Sequence, residues 1–242
     1  MLYFQKIAKT ATGRRFVVAD IHGCAKTFKS LLEEKIQLTP EDQLFLLGDY
    51  INRGPDSAGV IEQILALQAQ HYAVFALRGN HEQMLLDSHH KTYTEFELKL
   101  PRLQKRKGLV NAQGKILPQY LAFFVNLPYY FELEDFYLVH AGFNFKASHF
   151  LEDYESMLWI RRFEVDEWQT KGRKVIYGHT ITPLEDIHNA VKQKSNAIPL
   201  DNGCYTKLGY YAEEGLGNLC ALNLDTFELL VQPCCDEKHK HL

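Results

Sequence analysis

No stretch of this chain approaches the roughly 18 consecutive apolar residues of a membrane-spanning helix. Its start, MLYFQKIAKTATGRR, lacks the charged, apolar, small-residue succession of a secretory signal. A cytoplasmic protein with no membrane partner is expected. Positive charge is not in excess either: 27 Lys and Arg against 30 Asp and Glu leave a net charge of −3, spread along the chain. That sets aside the basic footprint of a general nucleic-acid binder. Cysteine is sparse and odd in number, with Cys24, Cys204, Cys220, Cys234 and Cys235 scattered over the sequence. This pattern excludes a disulfide framework and fits a reducing compartment. Adjacent Cys234 and Cys235 are read as inert thiols, because no other Cys pair completes a metal cluster in the sequence. Internal repeats, low-complexity tracts and linkers are absent as well. What remains is a 242-residue chain with 46% apolar residues, enough for one domain over 1–242 with a sizeable core.

Short apolar runs bounded by turn residues recur, and the first ones alternate with helical periodicity. RFVVAD (15–20), QLFLLGD (43–49) and YAVFALRGN (72–80) predict strands. A helix is expected over 27–36, and another beginning at Ser57 as its cap, with Val60, Ile61, Ile64, Leu65 and Leu67 on its apolar face. The order implies parallel βαβ units with right-handed crossovers. Farther on, FYLVHAG (136–142), RKVIYGHT (173–180), AIPLDNG (197–203), LCALNL (219–224) and FELLVQ (227–232) predict strands with less helix between them, hence a mixed or antiparallel sheet. The polar stretch 88–125 is expected to be an inserted helical cap. Its Lys99, Arg102, Lys105, Arg106 and Lys107 fit a solvated face more readily than a substrate contact.

Five strand ends share one peculiarity. VVADIHG, FLLGD, FALRGNHE, YLVHAG and VIYGHT each put Asp, Asn or His where a buried strand emerges, close to a glycine that permits a sharp turn or a close approach. Ligands of open α/β sheets sit outside the carboxyl ends of strands, so Asp20, His22, Asp49, Asn80, His140 and His179 are expected to converge. Singly, each is a weak signal, because Asp or Asn at a turn can bond its own backbone and a lone His after a strand is usually a boundary residue. Turn chemistry has no use for the three histidines together. Jointly these residues predict a divalent-metal site with more ligands than one tetrahedral ion uses. Asp49 as a bridging carboxylate between two ions accounts for all six. Mixed oxygen and imidazole ligands favour manganese, iron or zinc over calcium, magnesium or Cu(I), with manganese placed first.

With DIHG, GDYINRG, RGNHE, HAG and GHT in this order, the chain resembles calcineurin-like metallophosphoesterases of the phosphoprotein phosphatase type, and most of all bacterial and bacteriophage lambda type Ser/Thr protein phosphatases. LWIRR (158–162) and LDNG (200–203) extend the likeness over nearly the whole chain. The resemblance implies an α/β fold, a four-layer αββα sandwich of two mixed sheets. It implies Asp20, His22 and Asp49 on one ion, and Asp49, Asn80, His140 and His179 on the other. It also implies Arg53 and Arg161, with Asn80, as phosphate-binding groups and His81 as general acid. Two ions about 3.5–4 Å apart can share a water, lower its pKa and aim it in line at phosphorus. Forked arginines clamp the phosphoryl oxygens, and His81 protonates the leaving alkoxide. Glu82 is read as an acid favoured in a helix's first turn, with orientation of a neighbouring ligand as the lesser option.

One position departs from the family pattern, which has Asp where this chain has Asn52. An amide oxygen can still accept from the His81 imidazole, but without the carboxylate the imidazolium is less stabilised and its pKa is expected to fall. Three readings stand at Asn52: a variant with another acid or weaker assistance, an Asp-to-Asn replacement of the kind made to trap substrate, or a plain turn residue. The expected activity is a metal-dependent phosphomonoesterase, Ser/Thr protein phosphatase-like and active on phosphotyrosine and aryl phosphates. The alternatives are a symmetrical dinucleoside polyphosphate hydrolase and a non-catalytic phosphoprotein-binding module.

Overall fold

The computed structural model describes residues 2–94, 97, 108–209 and 214–237. Alternation decides the architecture. In β2 (Arg15–Val18) and β3 (Gln43–Leu46), Phe16, Val18, Leu44 and Leu46 face one side, while Val17 and Phe45 face the other. Both faces are buried, as expected for parallel strands covered on each side. These two strands pair in parallel with each other, and β3 pairs in parallel with β4 (Ala73–Ala76). On the far side, β9 (Asn218–Asn223) runs antiparallel to β2, and β10 (Leu229–Pro233) antiparallel to β9. The second sheet holds β1 (Phe4–Lys6), β5 (Tyr130–Glu132), β6 (Phe136–Val139), β7 (Lys174–Tyr177) and β8 (Ala197–Pro199) in the order β1-β5-β6-β7-β8. There β6, β7 and β8 are parallel, and β5 is antiparallel to β6. Strands β1 and β5 carried no expectation, because three residues are too few to display a period.

Three apolar clusters fill the spaces between layers. Between the sheets, Val17, Ala19, Phe45 and Leu47 meet Phe131, Leu138, Ile176 and Ile198. Outside the first sheet lie Phe28, Leu31, Val60, Ile61 and Ile64 of the covering helices. Outside the second, Tyr137, Val139 and Val175 pack on Phe143, Met157 and Leu158. The result is the expected sandwich of two mixed sheets between helices.

Two helical details differ from expectation. The first covering helix is α1 (Ala25–Ser30), which passes into a π-helical turn over Leu31–Ile36; that wider winding keeps both Leu31 and Ile36 buried. Helix α2 (Ser57–Ala69) is capped by Asp56, whose carboxylate accepts the Gly59 N–H at 2.8 Å, and not by Ser57. Ser57 instead uses its hydroxyl oxygen to accept the Asn52 N–H at 2.9 Å, tying the preceding loop to the helix. Of the segment 88–125, the basic residues 99, 102, 105, 106 and 107 lie outside the described residues. Its helix Pro118–Val125 buries Tyr120, Phe123 and Phe124 in the outer core. Among the described residues no helix is long and apolar enough to cross a membrane.

Candidate active site

Just beyond the C-terminal ends of β2, β3, β4, β6 and β7, the six expected residues come together. Asp49 is the hub: one carboxylate oxygen lies 3.5 Å from His22 Nε2, the other 3.6 Å from His140 Nε2. The Asn80 side-chain oxygen sits 3.0 Å from His140 Nε2 and 3.1 Å from His179 Nδ1. Asp20 accepts the His179 backbone N–H at 3.0 Å. The potential ligand atoms of Asp49, His140 and His179 all lie within 4.8 Å of one another, as do those of His22, Asp49 and His81.

Backbone packing brings the loops this close. The Asp49 carbonyl accepts the His22 N–H at 2.8 Å, and the His140 carbonyl accepts the Gly178 N–H at 2.8 Å. A side chain at Gly79 would collide with Asp49, and one at Gly178 with the Asp20 carboxylate, so both positions must lack a Cβ. His22, Asp49, Asn52, Arg53 and His179 all have positive φ, between 49° and 68°. Such conformations cost about 1–3 kcal/mol each and persist where surrounding structure over-determines them.

Electrostatics identify what the cluster lacks. Burial, then the carboxylates of Asp201 and Asp49, pushes the Asp20 carboxyl well above its ordinary range. Burial and Glu82 do the same to Asp49. Burial drives the imidazoles of His22 and His140 well below theirs, aided by neighbouring His81 and His179 respectively. His179 falls to about 4 through burial and the nearby Arg161. Neutral imidazoles are ligands in waiting, and the carboxylates need positive charge to ionise. Asp20 Oδ1 and His179 Nε2 are also buried without a hydrogen-bond partner. Orphaned buried acceptor atoms fit divalent ions, and the donor set of oxygen and imidazole suits manganese, iron or zinc. The tautomers agree: His22 Nδ1 lies 3.1 Å from the Ile51 carbonyl and His140 Nδ1 3.0 Å from that of Leu47, leaving each Nε2 turned inward.

Around this centre stand the other expected residues. The His81 backbone N–H donates to Asp49 at 2.9 Å, and its Nε2 is 3.9 Å from the same carboxylate. On the far side of the ring, the Asn52 amide nitrogen is 2.9 Å from His81 Nδ1. The amide thus presents its NH2, not its oxygen, to the imidazole, and Nδ1 serves as the acceptor. Arg53 and Arg161 are exposed beside the cluster. The Arg53 guanidinium lies 5.3 Å from the Tyr205 ring centroid, and that ring meets His22 edge-on at 4.9 Å.

Sequence reasoning underweighted three residues. Glu82 is fully buried, accepting the backbone N–H groups of Asp49 at 2.8 Å, Tyr50 at 2.9 Å and Gly79 at 3.0 Å. It is not merely an acid in a helix's first turn; it fixes the backbone that presents Asp49. Asp201, within LDNG, is buried and held near pH 6 by that burial, and its charge bears on Asp20. The three tyrosines of YTKLGYY (205–211) suit edge-strand packing more than stacking on a substrate, yet Tyr205 lies in a 3-10 turn against His22, while Tyr210 and Tyr211 lie outside the described residues. The signal for Glu82 was its place directly after the Asn80 and His81 pair, and that for Asp201 its place in LDNG.

A two-sheet sandwich with this polar cluster across its strand ends is the architecture of the calcineurin-like phosphoesterases. The calcineurin-like phosphoesterase model matches residues 13–210, and the chain belongs to that family. Such enzymes use two divalent ions. The chain is 41% identical over 85 residues to Serine/threonine-protein phosphatase 1 of Salmonella typhimurium, covering 35% of this chain and 37% of that protein. It is 39% identical over 71 residues to a symmetrical bis(5'-nucleosyl)-tetraphosphatase of Wigglesworthia glossinidia brevipalpis, covering 29% and 25% respectively. These alignments therefore span about a third or a quarter of the relatives' lengths. A protein serine/threonine phosphatase from Saccharomyces cerevisiae shares the fold, with TM-score 0.61 and 17% identity over 100% of this chain and 85% of its own.

Proposed function

We propose that the chain is a binuclear metal-dependent phosphomonoesterase of the Ser/Thr protein phosphatase kind, acting also on phosphotyrosine and aryl phosphates in the cytoplasm. Residues 1–242 form its catalytic domain, with 88–125 as an inserted cap. The observation that carries this reading is the position of Asp49, between His22 on one side and His140 on the other. In it, Asp20, His22 and Asp49 hold one ion and Asp49, Asn80, His140 and His179 the second. When bound, the ions supply Lewis-acid activation of a water for direct in-line attack and neutralise charge on the phosphoryl oxygens.

The protein's own groups do the rest. Exposed Arg53 and Arg161 flank the opening and can grip phosphoryl oxygens in forked geometry, with the Asn80 amide beneath. Tyr205 gives Arg53 a face to rest on. His81, half-buried, gives a proton to the departing alkoxide. Glu82 keeps the Asp49 backbone in its left-handed conformation while this happens. Because the site recognises mainly phosphate, side-chain selection is weak.

The tetraphosphatase relatives support a second reading, hydrolysis of dinucleoside polyphosphates, with the same centre. Metal-depleted protein re-supplied with Mn, Fe, Zn or Mg, and assayed against phosphoserine peptide, phosphotyrosine peptide and a dinucleoside tetraphosphate, tests both. Metal-restored turnover of the peptides supports the first. Turnover of the tetraphosphate far above the peptides replaces it with the second, and phosphate binding without turnover at any pH leaves a non-catalytic binding module.

A further inference from the structure

Cysteines far apart in sequence meet behind the phosphoesterase centre. Cys24 and Cys204 are fully buried and Cys234 is half-buried, and their three sulfurs lie within 4.8 Å of one another. Sequence order hid this grouping, because the neighbours of Cys234 in space are Cys24 and Cys204 and not the adjacent Cys235. Cys235 turns away, with its sulfur 3.6 Å from the Thr27 hydroxyl and 3.9 Å from that of Ser30.

From this geometry we infer that Cys24, Cys204 and Cys234 form a further metal site for one thiophilic d10 cation of the Zn2+ or Cu(I) class. An ion bonded to sulfur at about 2.3 Å holds its sulfurs roughly 3.8–4.0 Å apart, so the observed cluster closes on it with shifts of about an ångström or less. A disulfide, with sulfurs at about 2.05 Å, uses two of the three and leaves the third unexplained. Soft thiolates select this class of cation, whereas the oxygen and imidazole set around Asp49 does not. Contacts within the trio split the thiols: those of Cys24 and Cys204 are pushed up by Cys234 and by burial, while that of Cys234 is held well below the ordinary range by Cys204 and Cys24, so the first proton to leave is that of Cys234. Its partial exposure also gives the ion a way in. Binding expels the thiol protons to solvent.

The surroundings show what such an ion would tie together. Cys24 follows His22 and Gly23, and its thiol donates to the His22 carbonyl at 3.8 Å. Cys204 follows Asp201, Asn202 and Gly203 and precedes Tyr205. Cys234 directly follows β10, its N–H donating to the Gly217 carbonyl at 3.0 Å. The next residues lash to α1: the Cys235 N–H donates to the Thr27 hydroxyl at 2.9 Å, and Asp236 accepts from the Lys26 and Thr27 N–H groups at 3.1 and 2.9 Å. An ion at the cluster would join the terminal strap to the loops bearing His22 and Tyr205.

The test uses the full-length protein, reduced and metal-depleted, titrated with Cd2+ as a d10 probe. Two readouts serve: the ultraviolet thiolate-to-cadmium charge-transfer band, which oxygen and imidazole ligands do not produce, and the count of thiols open to a thiol reagent. The expected result is a band saturating at one equivalent while Cys234 is lost from the thiols open to the reagent, leaving Cys235. Cys234→Ser, at the half-exposed position, abolishes the band while circular dichroism stays unchanged; Cys220→Ser and Cys235→Ser retain it. No band with wild-type protein overturns the site, as does a band that survives Cys234→Ser. Recovery of a disulfide linking Cys234 to Cys24 or Cys204, with no cadmium bound after reduction, assigns the cluster to redox chemistry instead. Because the band is silent to the Asp49 centre, this result stands apart from the outcome of the phosphatase assay.

Discussion

In the proposed reaction, Asn52 sets how much help the leaving group receives from His81. Its loop requires a left-handed residue, with φ of 68°, a conformation that Asn and Asp tolerate better than most. Turn geometry alone therefore accounts for an Asn or Asp there, but not for the 2.9 Å contact with His81. An amide NH2 facing Nδ1 opposes the imidazolium form, whereas a carboxylate favours it. Asn52→Asp is predicted to raise turnover of phosphoserine peptide by about tenfold or more, within the usual range of general-acid effects. With p-nitrophenyl phosphate, whose leaving group needs no proton, turnover should change little. Equal gains on both substrates would remove His81 from the leaving-group role. Glu82→Gln tests the support beneath Asp49. Gln has one acceptor oxygen where three backbone N–H groups converge, so a loss of about 1–3 kcal/mol in urea unfolding is expected, together with reduced activity. An unchanged midpoint would mean the backbone holds itself.

At the scale of elements, the strands were legible because both faces of β2 and β3 are buried, giving the unbroken apolar runs FVVA (16–19) and LFLL (44–47) that lead to Asp20 and Asp49. The site was legible for the same reason: polar residues emerging from such runs have no solvent-seeking explanation. What could not be read was anything set by contact between distant segments. The pairing of β1 with β5 is of this kind, as are the burial of Glu82 and the meeting of Cys24, Cys204 and Cys234. Asp42, just before β3, gives an element-level prediction. Burial raises its pKa, but the Arg14 side chain and backbone, with Thr39, outweigh that and bring it to about 2. A depressed folded value contributes stability above the unfolded carboxylate pKa of about 3.9, and that contribution is lost as pH falls toward 2. Asp42→Asn should therefore lower the unfolding midpoint at pH 6 and flatten its decline between about pH 4 and 2. A parallel decline in both proteins would contradict the role given to the Arg14 pair.

Across the whole molecule, the centre trades stability for ion binding. Asp20 and Asp49 have raised folded pKa values, as do Asp201, at about 6, and Glu82, at about 7. Carboxyls raised on folding favour the native state while protonated, so this contribution is lost as pH rises from about 4 through those folded values. Metal-free protein should lose thermal stability between about pH 4 and 7. Saturating Mn2+ should restore it, by about 2.7 kcal/mol at a hundredfold excess over Kd, and flatten the dependence. Metal-free protein with constant stability over this range would mean that the buried carboxylates find their counter-charge within the fold.

In the proposed centre, Asp49 joins two cations gathered by strand ends that are remote in sequence. Anomalous diffraction at the manganese edge, from crystals grown with Mn2+, tests it most directly. The predicted map has two peaks flanking the Asp49 carboxylate, one contacted by Asp20 and His22 and the other by Asn80, His140 and His179. A single peak, or a pair of peaks that Asp49 does not touch, would contradict the claim.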